Sequence, residues 1–415
     1  MKKSLFIATY LLVIMSLVLG ACGSNDAENG ASSANSGNEA SQSEGNAASD
    51  TGNDTVGGPP DGGEGRGAMG GMNQSIDTSS LVTDIAATIN KESTADTSSC
   101  TTEGTTAQIA CLAQAFEKTL TDDQISGLKY ELTADNAAVW SNLPVTMAQR
   151  NGLMLGTLSA ESVEAFKAMA AVALGDGGYE TLKSLIMADE YLVTDTGNTM
   201  WDADFYYVAF LGEPSASEPW MLQIGGHHFA ANLTYNTSTP GATPMFVAVE
   251  PLSFTMDGVT YTPLAARHDA VNNMIQSLND TQLAAAKLSG TYDDVLAGPG
   301  QDNAFPASEG LSVSELNDEQ KALVKAAIEA WVKDTNEEVY GELLEAYFSD
   351  EALNQTKLAW SGSTDFSVHG SYVRIDGPRV WIEFAVQNGI GYTDQIHYHT
   401  VWRDKVADYG GSFTG

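Results

Sequence analysis

"LTDDQ" at residues 120–124 and "LNDTQ" at 278–282 are one short phrase written twice, 158 positions apart. The same offset separates Gly152 and Leu153 from Gly310 and Leu311, and "LSAES" from Leu158 from "LNDEQ" at Leu316. Three landmarks in one register mark an internal repeat, and a repeat has to be found before any element is assigned. Further on, Leu182, Trp201 and Trp220 match Leu343, Trp360 and Trp381 with a slightly drifting offset, as loops of unequal length produce.

The helical patterns follow the repeat. Leu323, Val324, Ala327, Ile328 and Trp331 recur at helical spacing, and Ala165, Phe166, Met169, Ala170 and Ala173 do so one repeat earlier. Ser159 and Asn317 stand where N-caps belong, with Glu161 and Glu319 in the first turn. Each copy then becomes β-rich: "FYYVAFLGEPSASEPWMLQIGGHHFAANLTY" in the first, "GSYVRIDGPRVWIEFAVQNGIGYTDQIHYHTVW" in the second. Each reads as a strand, a Gly/Pro turn, a strand with the matched Trp, and a strand with histidines. The expected fold is α+β, a duplicated unit of helices followed by antiparallel strands, with copies at about 107–262 and 263–415. Such a unit is expected to associate about a pseudo-two-fold axis. The alternative is two separate lobes.

The chain opens with Lys2, Lys3, an apolar run from Leu5 to Leu19 and "LGAC" ending at Cys22. That order is an export signal, since the run is too short for a span. The cysteine makes it resemble a bacterial lipoprotein signal, which implies a signal peptide over 1–22, lipidation of Cys22 and a chain anchored at the outer face of the cell membrane. An ordinary secretory signal with an incidental cysteine is the alternative. Residues 23–75 are Ser, Gly, Asn and acidic, too poor in large apolar side chains to offset ordering entropy, and read as a disordered tether. The globular part is expected over 76–415. Outside the membrane, the remaining Cys100 and Cys111 are expected to form a disulfide pinning the helix around "AQIACLAQAFEKTL". A formal net charge of -35 repels phosphate backbones, so nucleic acid is excluded as a partner. The lipid bilayer, through the acyl anchor, and a small-molecule or polymer ligand remain.

Four of the six histidines fall in the two β-ends: His227 and His228, then His397 and His399. On a strand, His397, His399, Val401 and Arg403 share one face. Two imidazoles at i and i+2 suit a transition metal, and Arg403 suits an anionic group. Adjacent His227 and His228 would point to opposite faces unless Gly225 and Gly226 allow a bulge, so one is expected as a ligand and the other as its support. Taking the two histidine segments as counterparts favours His228 as the ligand. Glu383 lies amid apolar neighbours and needs a partner, while Asp404 and Asp408 are either support for the histidines or turn formers. His268 and His369 read as surface residues, and the four matched tryptophans as core rather than sugar platforms. No Gly-x-Ser-x-Gly elbow, phosphate-binding Gly-rich loop or His-Glu-x-x-His helix is present.

The segments "GEPSASEPWMLQIGGHHFAANLTY", "NNMIQSLNDTQLAAAKL" and "IHYHTVWRDKVADYG" resemble the secreted family known as domain of unknown function 3500, over roughly residues 80–412. "FVAVEP" departs from the family by lacking a Gly before the Ala. The resemblance implies membership and no established activity. From the residues, the expectation is a metal-dependent extracellular enzyme with a single copper or zinc on His228, His397, His399 or His227. Arg403 would hold an anionic group and Glu383 would take a proton. The alternative is a non-catalytic surface lipoprotein binding a polar or anionic ligand through the same His/Arg cluster.

Overall fold

The computed structural model describes residues 76–101, 105–237, 239 and 241–413. The signal peptide, Cys22 and the whole of the tether lie outside the described residues.

Ten helices and thirteen strands alternate along these residues, so the fold is α+β. A first group holds α1 (Ala86–Ile89), α2 (Thr105–Glu117), α3 (Asp122–Leu128), β1 (Lys129–Tyr130), α4 (Ala134–Ala137), β2 (Leu153–Met154) and the long α5 (Ala160–Thr196). A meander follows: β3 (Tyr207–Leu211), β4 (Trp220–Gly226), β5 (Phe229–Tyr235) and β6 (Met245–Val249). After a small hairpin, β7 (Phe254–Met256) and β8 (Val259–Tyr261), come α6 (Ala265–Gln276), α7 (Asp280–Ala286), β9 (Leu311–Ser312), α8 (Asp318–Val332), α9 (Glu337–Phe348) and α10 (Asp350–Gln355). A second meander closes the chain: β10 (Lys357–Ser361), β11 (Tyr372–Asp376), β12 (Val380–Asn388) and β13 (Ile396–Asp404).

The opening phrase is a helix start in both places. Thr121 and Asn279 each accept from the backbone N–H three residues on, and Gln124 and Gln282 reach back, giving two capping boxes at α3 and α7. Ser159 and Asn317 cap α5 and α8 as their sequence positions suggest. The apolar stripes of α5 and α8 are buried, Ala165, Phe166, Met169, Ala170 and Ala173 on one, Val324, Ala327, Ile328 and Trp331 on the other. Each large side chain among them contributes roughly 1.5–3 kcal/mol by leaving water.

Eleven of the strands form one sheet in the order β1-β3-β4-β5-β6-β13-β12-β11-β10-β9, with β2 also on β3, and β7 and β8 pair only with each other. The two meanders meet antiparallel at β6 and β13, Met245 opposite Trp402 and Ala248 opposite His399. One face is covered by helices: Trp402 and Tyr398 lie in the main core with Trp331, whose indole donates to Thr400 Oγ1 at 3.1 Å. The other face is covered by connecting segments, where Trp140, Ala297 and Tyr409 pack on Ala209, Met221, Phe246, Trp381 and Val401. Cys100 and Cys111 are bonded, tying the segment before α2 to that helix.

Strand order corrects the matching of the two β-ends. Counting inward from the helices, β4 and β5 occupy the positions of β11 and β12, and β6 that of β13. Trp220 heads β4 whereas Trp381 is on β12, and Trp201 precedes β3 whereas Trp360 is on β10, so these tryptophans are not counterparts. The repeated sequence signal of turn, Trp strand and His strand is one strand out of step between the halves. Alternation fixes which residues face inward but not which strand of a meander carries them.

Candidate metal centre

His397 and His399 lie on β13 opposite Gln387 and Ala385 of β12, and both turn to the face covered by connecting segments. His227 and His228 are not on a bulged strand. They form the two-residue turn between β4 and β5, flanked by the Gly226–Phe229 pair. His228 takes φ 60°, the left-handed region that glycine and asparagine fill more readily. Its backbone is held from both sides: its N–H donates to Asn142 O at 3.2 Å, and its carbonyl accepts from Ala248 N at 2.9 Å. Ala248 is the residue directly across from His399, so one backbone bond joins the hairpin tip to the His-x-His strand.

The three rings converge. A ligand nitrogen from each of His228, His397 and His399 lies within 4.8 Å of the others, all three side chains being buried. Nε2 of His397 and Nε2 of His399 are 3.0 Å apart, close to the separation of about 3.3 Å that two nitrogens take on one tetrahedral ion. His399 Nδ1 is 2.9 Å from Asp294 Oδ1, which leaves Nε2 directed at the cluster. A carboxylate behind a ligating imidazole fixes its tautomer and orientation. Burial, and then the neighbouring histidines, hold His228 well below the usual imidazole range. Burial and His399 pull His397 down to about 3. Both rings are therefore neutral, with lone pairs available for a cation. Burial works to raise the Asp294 carboxyl, but the hydrogen bond and charge of His399 carry it below the ordinary value.

His227 stands apart from the three. Its ring stacks on His228 with centroids 3.7 Å apart and lies under Trp201 at 6.0 Å. Its Nδ1 is 2.7 Å from Asp189 of α5, whose other oxygen accepts from the Tyr206 hydroxyl at 2.9 Å. Gly226 is needed here because a Cβ would come within 2.5 Å of the Tyr206 ring. His227 thus supports His228 from the helix side.

A family described as "Protein of unknown function (DUF3500)" matches residues 102–411. The chain belongs to that family. No curated protein and no solved structure matches it. In this DUF3500 chain the matched span contains the whole histidine cluster and both of its carboxylate partners.

The other residues singled out in the sequence are engaged elsewhere. Glu383 shares the histidine-bearing face, but its oxygens accept from Leu296 N, Ala297 N, Tyr372 Oη and Trp381 Nε1 at 2.5–2.8 Å, and burial raises its carboxyl. Arg403 is ion-paired to Asp408 at 2.7 Å and Asp302 at 2.6 Å, donates to Ala297 O and lies over Trp140 and Phe305. The polar atoms of both side chains are thus engaged with the sheet and its covering segments and not with the histidine cluster. Asp404 and Asp408 do not support the histidines: Asp404 takes Tyr347 and Arg379, and Asp408 takes Arg403 and Asp404 N. The sequence reading missed Asp189 and Asp294. Asp189 carried a signal, a carboxylate in the apolar stripe between Leu185, Ile186 and Leu192. Asp294 lies in a connecting segment with no periodicity to mark it.

Proposed function

We propose that His228, His397 and His399 hold one transition-metal ion, and that this DUF3500 protein is a metal-dependent enzyme. The observation that carries the reading is the convergence of three buried imidazoles from two distant parts of the chain, two of them with facing Nε2 atoms. An all-nitrogen set without thiolate suits copper or zinc. Bound through three imidazoles, such an ion would supply Lewis acidity to a water or substrate at a remaining position. The chain's own part is to hold the donors in place: Asp294 orients His399, and the ring of His227, anchored by Asp189 and Tyr206, keeps His228 in position.

The proposal includes export and anchoring through Cys22, supported by the sequence of the first 22 residues and compatible with the Cys100–Cys111 disulfide, which suits an oxidising compartment. It also includes an internal duplication with approximate two-fold symmetry, supported by the paired capping boxes and by two meanders meeting at β6 and β13.

Elemental analysis of the purified chain, metal-supplemented and then dialysed, tests the centre. One copper or zinc per chain is expected, lost in His228→Ala, His397→Ala and His399→Ala alike and kept in His268→Ala. Wild-type binding in His228→Ala would refute the shared site. Loss of fold in all three single variants would make the histidines core residues.

A further inference from the structure

Residues 288–310, between α7 and β9, contain neither helix nor strand, yet this stretch supplies the carboxylate behind His399. The Asp294 side chain is 49% exposed, so its own surroundings do little to fix it. Gln387 of β12 donates to the same carboxylate, and Tyr292, two residues earlier, stacks on Tyr372 of β11 with centroids 4.6 Å apart. On the other side of Asp294 the chain is held by its backbone. Leu296 N donates to Glu383 Oε1 at 2.7 Å, Ala297 N donates to Glu383 Oε2 at 2.8 Å, and Ala297 O accepts from Arg403 at 3.0 Å.

Glu383 is wholly buried on β12, across from Val401, and Val401 stands two residues from His399 on the same face of β13. A carboxyl in that position is costly unless its oxygens are filled. The sheet itself fills half of the places, through the Tyr372 hydroxyl on Oε1 and the Trp381 indole on Oε2. The other half goes to two successive amides of the connecting segment, one on each oxygen. That segment therefore runs along the face as a strap: Asp294 at His399, Leu296 and Ala297 at Glu383, Ala297 O at Arg403. Fixing the backbone two residues from Asp294 fixes where its carboxylate falls.

We propose that Glu383 is a positioning residue of the metal centre, seating Asp294 behind His399 through the Leu296 and Ala297 amides. The inference rests on the metal reading given above. It makes the affinity for the ion depend on a side chain that never touches it, as partners behind ligating histidines do elsewhere.

The test uses the full chain and zinc, with affinities from competition against a chromophoric chelator. In Glu383→Gln the new NH2 can donate to the Tyr372 hydroxyl while the remaining oxygen keeps Trp381 and Ala297, so the fold is kept and only the Leu296 amide loses its acceptor. Zinc binding should weaken about 10-fold or more, as it should in Asp294→Ala. The double variant should bind no more weakly than Asp294→Ala alone, because both changes undo one contact. A Glu383 that is merely structural would shift the affinity by the same factor in both backgrounds or in neither, and either result overturns the proposal. A second measurement needs no substitution: zinc should slow hydrogen exchange at the Leu296 and Ala297 amides of the wild type, and exchange that zinc leaves unchanged overturns the proposal as well. A wild type that takes up no metal would sink the metal reading and this inference with it, whereas a wild type that binds zinc no better than Glu383→Gln sinks this inference alone.

Discussion

His228 combines two demands on one residue. Its backbone stands at φ 60°, where a non-glycine residue costs of order 1 kcal/mol, while its ring is needed beside His397 and His399. Strain retained at a residue that converges with two other potential ligands points to a role in the site rather than in the turn. Replacing the residue separates the two demands. In His228→Gly the backbone relaxes and the ring is lost, so the metal-free Tm should match or exceed that of the wild type, while the metal-induced rise in Tm disappears. Thermal melts with and without zinc measure both. A fall in metal-free stability beyond about 3 kcal/mol would instead assign the ring to the core, the range for deleting a large buried aromatic side chain.

The 3-10 turn Ala203–Phe205 that precedes β3 shows what an acidic chain tolerates at the scale of an element. Asp204 accepts from Ile85 N at 2.8 Å and so fastens α1 to the body, yet burial, with Asp202, Asp84 and Glu190 nearby, pushes its carboxyl up to about 6. A carboxyl raised in the folded state costs stability as pH climbs from its unfolded value near 3.8 past 6, because the folded protein holds the proton longer. Asp204→Asn keeps an acceptor for Ile85 and removes the charge. It should therefore stabilise the protein by about 1 kcal/mol at pH 7, a figure discounted for the group's partial exposure, with the gain vanishing below pH 4. Denaturant titrations at the two pH values check this, and a gain equal at both would refute it. Elements of this kind were the most legible part of the chain. The caps Ser159 and Asn317 and the stripes of α5 and α8 follow from spacing alone, because a helix writes its face into a period of 3.6. The meander was read one strand out of step, since β10, "KLAWS", carries neither the turn nor the histidine that marked the other strands.

At the scale of the molecule, the candidate site depends on a junction that no local pattern encodes. The His-x-His strand could be read as one face from alternation, and the choice of His228 over His227 agrees with the geometry, but through a correspondence of strands that the sheet order does not support. What brings them together is β6 beside β13, a pairing between residues about 150 apart in sequence. Cutting the chain between β8 and α6 should therefore leave fragments 76–262 and 263–415 each with an unpaired sheet edge and an uncovered apolar face. Expressed alone, each should be unfolded or aggregated by circular dichroism and light scattering. Expressed together, they should recover a complex that binds the metal, and a metal-binding 263–415 fragment alone would contradict the shared centre. The same junction sets a timetable. His228 belongs to one half and His397 and His399 to the other, so an ion can be captured only after the last strand has docked. For an exported chain, as proposed, that folds only after crossing, that moment falls outside the membrane. The identity of the captured ion would then be decided by what the surroundings offer, not by the stocks of the cytoplasm where the chain was made.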